Sequence, residues 1–153
     1  MENLTELRAT YAEDLIPGAR NAIRTCLRVK PEERVAIVTD NETEEIAASL
    51  ADQVRELGAP IEVHVMEDYG PRPMLTMAAP IEIALERCDV SIYAGQPKQG
   101  ELAFRRALTA IIDRRQIRHA HMVSISHRIM LEAMRVCSAR IRVASCSADI
   151  SQE

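Results

Sequence analysis

Three histidines in the second half of the chain carry the side chains best suited to metal binding or acid–base chemistry. His119 and His121 are two residues apart, so both project from one side if they share a β-strand. Two imidazoles can begin a zinc site, but no carboxylate or thiol of suitable spacing accompanies them. His127 follows Ser126, and adjacent residues rarely point at each other, so Ser126 is interpreted as a helix cap. The sequence therefore predicts neither a metal ligand nor a catalytic residue here.

The segment from Gly95 to Gly100 has the glycine spacing of a phosphate-binding loop. Such a loop continues with Lys and then Ser or Thr, which reach the phosphates and the magnesium ion. This chain has Glu101 and Leu102 at those positions, and a carboxylate there would repel phosphate. The segment therefore does not predict nucleotide binding of this type.

Polar residues follow two of the predicted strands and are the candidates for a ligand site. Asp40 and Asn41 come directly after one aliphatic run, and Gln96 follows another. In open α/β sheets, ligands bind in the crevice outside the carboxyl ends of the strands, where the strand order reverses. We therefore predict a ligand crevice lined by Asp40, Asn41 and Gln96.

The elements that would position these residues are organised around residues 34–65. Residues 34–40 form an aliphatic run typical of a strand buried on both faces, and residues 42–57 have the apolar spacing of one helical face before Gly58. A second extended run at 61–66 completes a parallel crossover unit. Further strands are predicted at 89–94 and 120–125, and further helices at 17–29, 80–87, 98–115 and 129–136.

This alternation predicts an α/β fold, Rossmann-like or flavodoxin-like, with a mostly parallel sheet of four to five strands and helices on both faces. Residues 1–16 are predicted to be an amino-terminal extension, and residues 17–140 a single domain. Residues 141–153 are predicted to be a tail or the start of a second domain. The turn-rich residues 67–73 are interpreted as a surface connection.

Composition limits the function classes. The chain has 153 residues, a net charge of −4 and only 3% aromatic residues, so it has neither the basic stripe nor the stacking side chains of a nucleic-acid binder. No apolar run reaches the length of a membrane span, and the amino terminus lacks the apolar segment of a secretion signal. We therefore expect a cytoplasmic protein without nucleic-acid or membrane partners. The four cysteines lack CxxC spacing and are interpreted as buried free thiols.

The chain resembles the amino-terminal half of metallopeptidases of the leucyl aminopeptidase (aminopeptidase T) type. The resemblance rests on residues 18–27, 29–40, 121–125 and 129–135, and extends over most of residues 11–140. It implies a two-domain enzyme that removes amino-terminal residues from peptides with a pair of divalent metal ions. The glutamate, histidine and aspartate ligands of that family lie in the carboxy-terminal half, so no metal ligand and no cofactor is implied within this chain.

Three functional hypotheses follow. The first is a non-catalytic amino-terminal α/β domain of an aminopeptidase T-like enzyme, which walls the substrate cleft or mediates assembly. Its expected partner is a carboxy-terminal catalytic domain. A homodimer is a further assembly compatible with this hypothesis. The alternative is a stand-alone small-ligand-binding or regulatory module that uses the strand-end crevice. The third is a small hydrolase that uses Ser126 and His127.

Overall fold

A computed structural model describes residues 10–134, which form an all-parallel, four-stranded sheet with helices packed on both faces. The strands are β1 (Val35–Thr39), β2 (Ile61–Val65), β3 (Val90–Gly95) and β4 (Arg118–Val123). Their order across the sheet is β2-β1-β3-β4. The predicted α/β class and parallel sheet are confirmed, while the predictions for residues 1–9 and 135–153 lie outside the described residues.

Five α-helices in the described part of the chain connect or flank the strands. They are α1 (Ile16–Arg20), α2 (Glu44–Glu56), α3 (Ala79–Arg87), α4 (Leu102–Arg115) and α5 (His127–Glu132). A π-helix (Asn21–Cys26) continues α1, and short 3₁₀ turns lie at Glu13–Leu15 and Met66–Tyr69. No helix in the described part of the chain is long and apolar enough to cross a membrane.

Strand β1 lies in the middle of the core, and all five of its residues are buried. Val35 and Ile37 pack into one apolar cluster, which includes residues of α1 and α2. Ala36 and Val38 pack into a second cluster on the opposite face, which includes residues of α3 and α4. Because successive strand side chains point to opposite faces, an uninterrupted aliphatic run is the pattern that such a doubly covered strand requires.

Helix α2 follows β1 and ends close to where the sequence predicted. Residues Glu44 and Glu45 occupy its first turn and Arg55 its last, which complements the helix dipole at both ends. Gly58 follows with φ of +76°, the left-handed conformation that glycine adopts most easily at the end of a helix.

Helices α1 and α5 pack closely on the first face of the sheet. A Cβ atom at Gly18 would lie 2.5 Å from the carbonyl oxygen of Met130, so only glycine permits this approach. Leu15 precedes α1 and is fully buried in the same cluster. The predicted boundary at residue 17 places Leu15 in an extension, whereas the structure packs it into the core of the domain.

Candidate functional site

The candidate site lies at the carboxyl ends of β1 and β3, the two central strands. β1 pairs with β2 on one side and β3 with β4 on the other, so the strand order reverses between them. Asp40 directly follows β1, and Gln96 directly follows β3. The backbone N–H of Gln96 donates a hydrogen bond to Oδ2 of Asp40 at 2.6 Å. Two of the three predicted crevice residues are therefore in contact.

Asn41 stands apart from that contact. It is exposed, and its backbone N–H donates to a carboxylate oxygen of Glu67 at 3.1 Å. The side-chain amide of Gln96 donates to the carbonyl of Ile125 at 2.8 Å, which ties the crevice to the segment after β4. The structure thus brings Asp40 and Gln96 together, with Asn41 at the surface beside them.

Arg72 enters the crevice from the loop that follows β2. Its side chain is only 6% exposed, although the loop was predicted to be a surface connection. Nη1 donates to Oδ2 of Asp40 at 2.8 Å, and Nη2 donates to the carbonyl oxygen of Gln96 at 2.8 Å. The guanidinium therefore bridges the ends of β1 and β3.

Glu101 holds the opposite side of the same guanidinium. It precedes α4, is fully buried, and accepts from both Nε and Nη2 of Arg72, the latter at 2.6 Å. A bidentate arginine–carboxylate pair of this kind is both stronger and more directional than a single hydrogen bond. The backbone N–H of Met74 also donates to Glu101 at 2.9 Å. The loop after β2 is thereby fastened to the start of α4.

Asp40 has further donors from the turn that leads into α2. Its Oδ1 accepts the backbone N–H of Thr43 at 2.9 Å and lies 2.7 Å from the Thr43 hydroxyl. That hydroxyl is also 2.8 Å from the carbonyl oxygen of Ala94 at the end of β3. An aspartate that accepts from the backbone a few residues later is typical of a tight turn. Both oxygens of Asp40 are therefore fully used within the protein.

These contacts fix the charge of the cluster. Burial alone would raise the pKa of Asp40, but hydrogen bonds from Arg72, Thr43 and Gln96 outweigh it and hold that pKa below its ordinary value. Burial likewise opposes ionisation of Glu101, and the bonds from Arg72 and the Met74 N–H again lower its pKa. Hydrogen bonding to Glu101 raises the pKa of Arg72. At neutral pH the cluster therefore contains the two buried carboxylates of Asp40 and Glu101 and one guanidinium, which Glu67 also contacts at 3.4 Å.

Tyr93 approaches this cluster from β3. Its side chain is fully buried, and its hydroxyl has no hydrogen-bond partner among the described residues. Burial raises the pKa of Tyr93 to about 12. A Cβ atom at Gly95 would lie 3.0 Å from that hydroxyl and 3.3 Å from Oδ2 of Asp40, so glycine leaves room for both groups.

The rim of the crevice combines apolar and charged side chains. Leu75 is 64% exposed and Leu102 is 53% exposed. The Leu75 side chain reaches within 3.8 Å of where a Cβ on Gly100 would stand, so both leucines flank the turn before α4. Lys98 and Glu42 form an exposed ion pair. The crevice is thus internally hydrogen-bonded at its centre and partly apolar at its rim.

The histidines lie on other elements. The hydroxyl of Ser126 accepts the backbone N–H of Ile129 at 3.2 Å, which confirms its predicted role as a helix cap. The His127 ring contacts Asp14, whose carboxylate oxygen lies 3.0 Å from Nε2, rather than the Ser126 hydroxyl. His64 is 8% exposed and its ring lies 2.6 Å from the Tyr69 hydroxyl. His119 and His121 contact each other, with Nε2 of His119 lying 3.1 Å from Nδ1 of His121.

Within residues 10–134, no group of three or more His, Cys, Asp or Glu side chains is arranged to hold a metal ion. No protein-family model matches the chain, and no curated protein matches it significantly.

Sequence reasoning missed Arg72 and Glu101, the residues that make most of the bonds in the crevice. Glu101 was noted only as a residue that would repel phosphate, and Arg72 only as part of a turn-rich loop. One signal was available, since Arg72 is a lone arginine between two prolines in a loop that must return over the strand ends. Its partners are 32 and 29 residues away, so no local pattern could identify them.

Proposed function

We propose that the chain is a non-catalytic α/β domain of an aminopeptidase T-like metallopeptidase, in which it walls the substrate cleft or mediates assembly. The observation that carries this proposal is the buried Arg72 bridge. At the place where this fold offers a ligand crevice, the carboxylates of Asp40 and Glu101 are bound to a guanidinium of the same chain. Acids held in this way serve to fix the strand ends and are not free to bind ions or activate water.

The rim supports a role in contacts with protein. Leu75 and Leu102 expose large apolar side chains on either side of the turn before α4, and buried apolar area is the main source of affinity between protein surfaces. A polar small molecule would gain little from these leucines. The metal ligands, in this proposal, come from a carboxy-terminal catalytic domain.

The chain alone is therefore expected not to hydrolyse aminoacyl substrates when cobalt, zinc or manganese is added. Two-metal hydrolysis needs ions held roughly 4 Å apart by several carboxylates and imidazoles, so that one water is activated and the leaving group is stabilised. Turnover of leucine p-nitroanilide by metal-loaded protein measures this directly, and His121→Ala serves as a control for contaminating peptidase. Robust turnover that disappears in His121→Ala would overturn the proposal.

A stand-alone ligand-binding module is the second candidate, favoured by the contact of Asp40 with Gln96 at the point of strand reversal. If it is correct, peptides or nucleotides will shift the amide resonances of Asp40, Asn41 and Gln96 in an NMR titration. We expect no such shifts from small polar ligands, because those groups are bound to Arg72 and to each other. Saturable shifts at these three amides would favour the module over the cleft wall.

A further inference from the structure

His119 and His121 form a second cluster of side chains, which borders the crevice through Tyr93 and does not depend on the proposed function. Both lie on β4, two residues apart and opposite Ser91 and Tyr93 of β3 in the parallel register. β4 is at the edge of the sheet and pairs only with β3 among the described strands. His121 is exposed and His119 is half-buried, so solvent reaches the pair from the open side.

The orientation of the two rings is fixed from the protein side. Nδ1 of His119 lies 2.8 Å from the hydroxyl of Ser91, which is fully buried. When that hydroxyl accepts the Nδ1 proton, Nε2 of His119 carries a free lone pair, as a metal-bound histidine requires. The His121 ring stacks on Tyr93 with ring centroids 5.2 Å apart and an interplanar angle of 26°. Both imidazoles are therefore held before any ligand arrives.

The separation of the two nitrogens fits a shared metal ion. Nε2 of His119 and Nδ1 of His121 are 3.1 Å apart. Two metal–nitrogen bonds of about 2.0–2.1 Å that meet at angles from about 90° to 110° place their nitrogens roughly 2.8–3.4 Å apart. A bound ion replaces the present hydrogen bond between these two nitrogens, and His121 then carries its proton on Nε2, so that its Nδ1 offers a lone pair to the metal.

We propose that His119 and His121 form a two-nitrogen chelate for a divalent transition-metal ion of the copper, nickel and zinc class. Imidazole nitrogen is a donor that these three metals share. No third His, Cys, Asp or Glu of the described residues joins the pair, so water completes the coordination. Among these metals, Cu²⁺ is expected to bind most tightly, since affinities of nitrogen sites rise to copper and then fall at zinc.

One nearby charge opposes the metal. Arg105 on α4 is close enough to His121 to act on it electrostatically, and its Nε is buried without a hydrogen-bond partner in the described chain. A cation at the chelate would be repelled by this guanidinium. Arg105→Gln is therefore expected to tighten metal binding by at least about twofold.

The test is a titration of the tag-free full chain with Cu²⁺, followed by electron paramagnetic resonance and by competition with a chelator of known affinity. We expect one copper per chain, with nitrogen couplings from two imidazoles. His121→Phe keeps a ring against Tyr93, and His119→Asn keeps a polar group beside Ser91. Each variant is expected to weaken copper binding at least about tenfold and to leave one coupled imidazole. Ser91→Ala is expected to weaken copper binding about tenfold, because the His119 ring loses the hydrogen bond that orients it.

His127→Ala is the matched control, because His127 lies outside the pair and contacts Asp14. It is expected to leave both the affinity and the two-nitrogen spectrum unchanged. The proposal is overturned if copper fails to bind stoichiometrically, or if the two-nitrogen spectrum survives in His121→Phe. Loss of the signal in His127→Ala would also overturn it, since the ion would then be adventitious at the His127–Asp14 pair. His121 is exposed, so its replacement tests binding even if His119→Asn folds poorly.

Discussion

Replacing Arg72 by methionine is expected to lower the free energy of unfolding by about 3–5 kcal/mol, because it leaves two buried carboxylates without their counter-charge. Asp40 and Glu101 are both fully buried, and each receives hydrogen bonds from the Arg72 guanidinium. Methionine has a similar length and apolar stem, so the change removes the charge and the donors with little change in volume. Urea unfolding at pH 7, followed by far-ultraviolet circular dichroism, measures the effect.

Two further variants separate charge from geometry in this cluster. Arg72→Lys keeps a positive charge but cannot reproduce the planar, bidentate contact with Glu101, so we expect an intermediate loss. Adding Glu101→Gln to Arg72→Met removes one of the two stranded charges and is expected to recover part of the stability.

The exposed pair of Arg128 with Glu132 provides the matched control. Its side chains are 82% and 65% exposed, and such pairs contribute little. Arg128→Met is therefore expected to change the free energy of unfolding by less than about 0.5 kcal/mol. If Arg72→Met costs no more than Arg128→Met, the bridge does not stabilise the strand ends.

The sequence predicts the central part of the fold well because local pattern and tertiary role agree there. β1 is buried on both faces. A short aliphatic run between amphipathic helices is typical of such a strand in a parallel sheet. α2 combines apolar spacing, acids in the first turn and Gly58 after its end, so the predicted helix at 42–57 is close to the observed Glu44–Glu56.

The prediction is less accurate at the edge of the sheet. β4 was expected at 120–125 and spans Arg118–Val123, because pairing with β3 sets its register and its own residues alternate weakly in polarity. α4 was expected from residue 98 and begins at Leu102. Its predicted apolar face included Leu102, which is exposed, and omitted Phe104, which is fully buried. Residues 99–101 form a turn before the helix, and the buried face of α4 is formed by Phe104, Leu108, Ile111 and Ile112.

The candidate site was only half predictable for a physical reason. The strand ends follow from the aliphatic runs, so Asp40 and Gln96 could be placed at one edge and do meet there. Arg72 reaches them across a loop with no periodicity, and Glu101 belongs to a turn whose glycine spacing resembles that of a phosphate-binding loop. Neither contact leaves a local pattern, because the attraction between opposite charges does not depend on their spacing along the chain.

The pH dependence of stability offers a sharper test of the same bridge. Lowering the pH is expected to destabilise the natural chain and to stabilise Arg72→Met relative to it. In the natural chain, the pKa values of Asp40 and Glu101 lie below their ordinary values. The unfolded chain then binds protons more readily than the folded one, so this stability is complete above the ordinary carboxyl pKa of roughly 4 and is lost as pH falls further. Unfolding in urea should therefore become easier below about pH 4.5.

Without Arg72, burial becomes the dominant influence on Glu101, whose remaining donor is the Met74 N–H, whereas Asp40 keeps Thr43 and Gln96. Burial raises a carboxyl pKa, so the folded variant takes up a proton more readily than the unfolded chain. Stability from such a group is present at low pH and is lost as pH rises through the raised pKa. From pH 7 to pH 5, Arg72→Met should therefore gain stability relative to the natural chain, while Arg128→Met follows the natural chain. Parallel curves for Arg72→Met and the natural chain would show that Glu101 is not held ionised by Arg72.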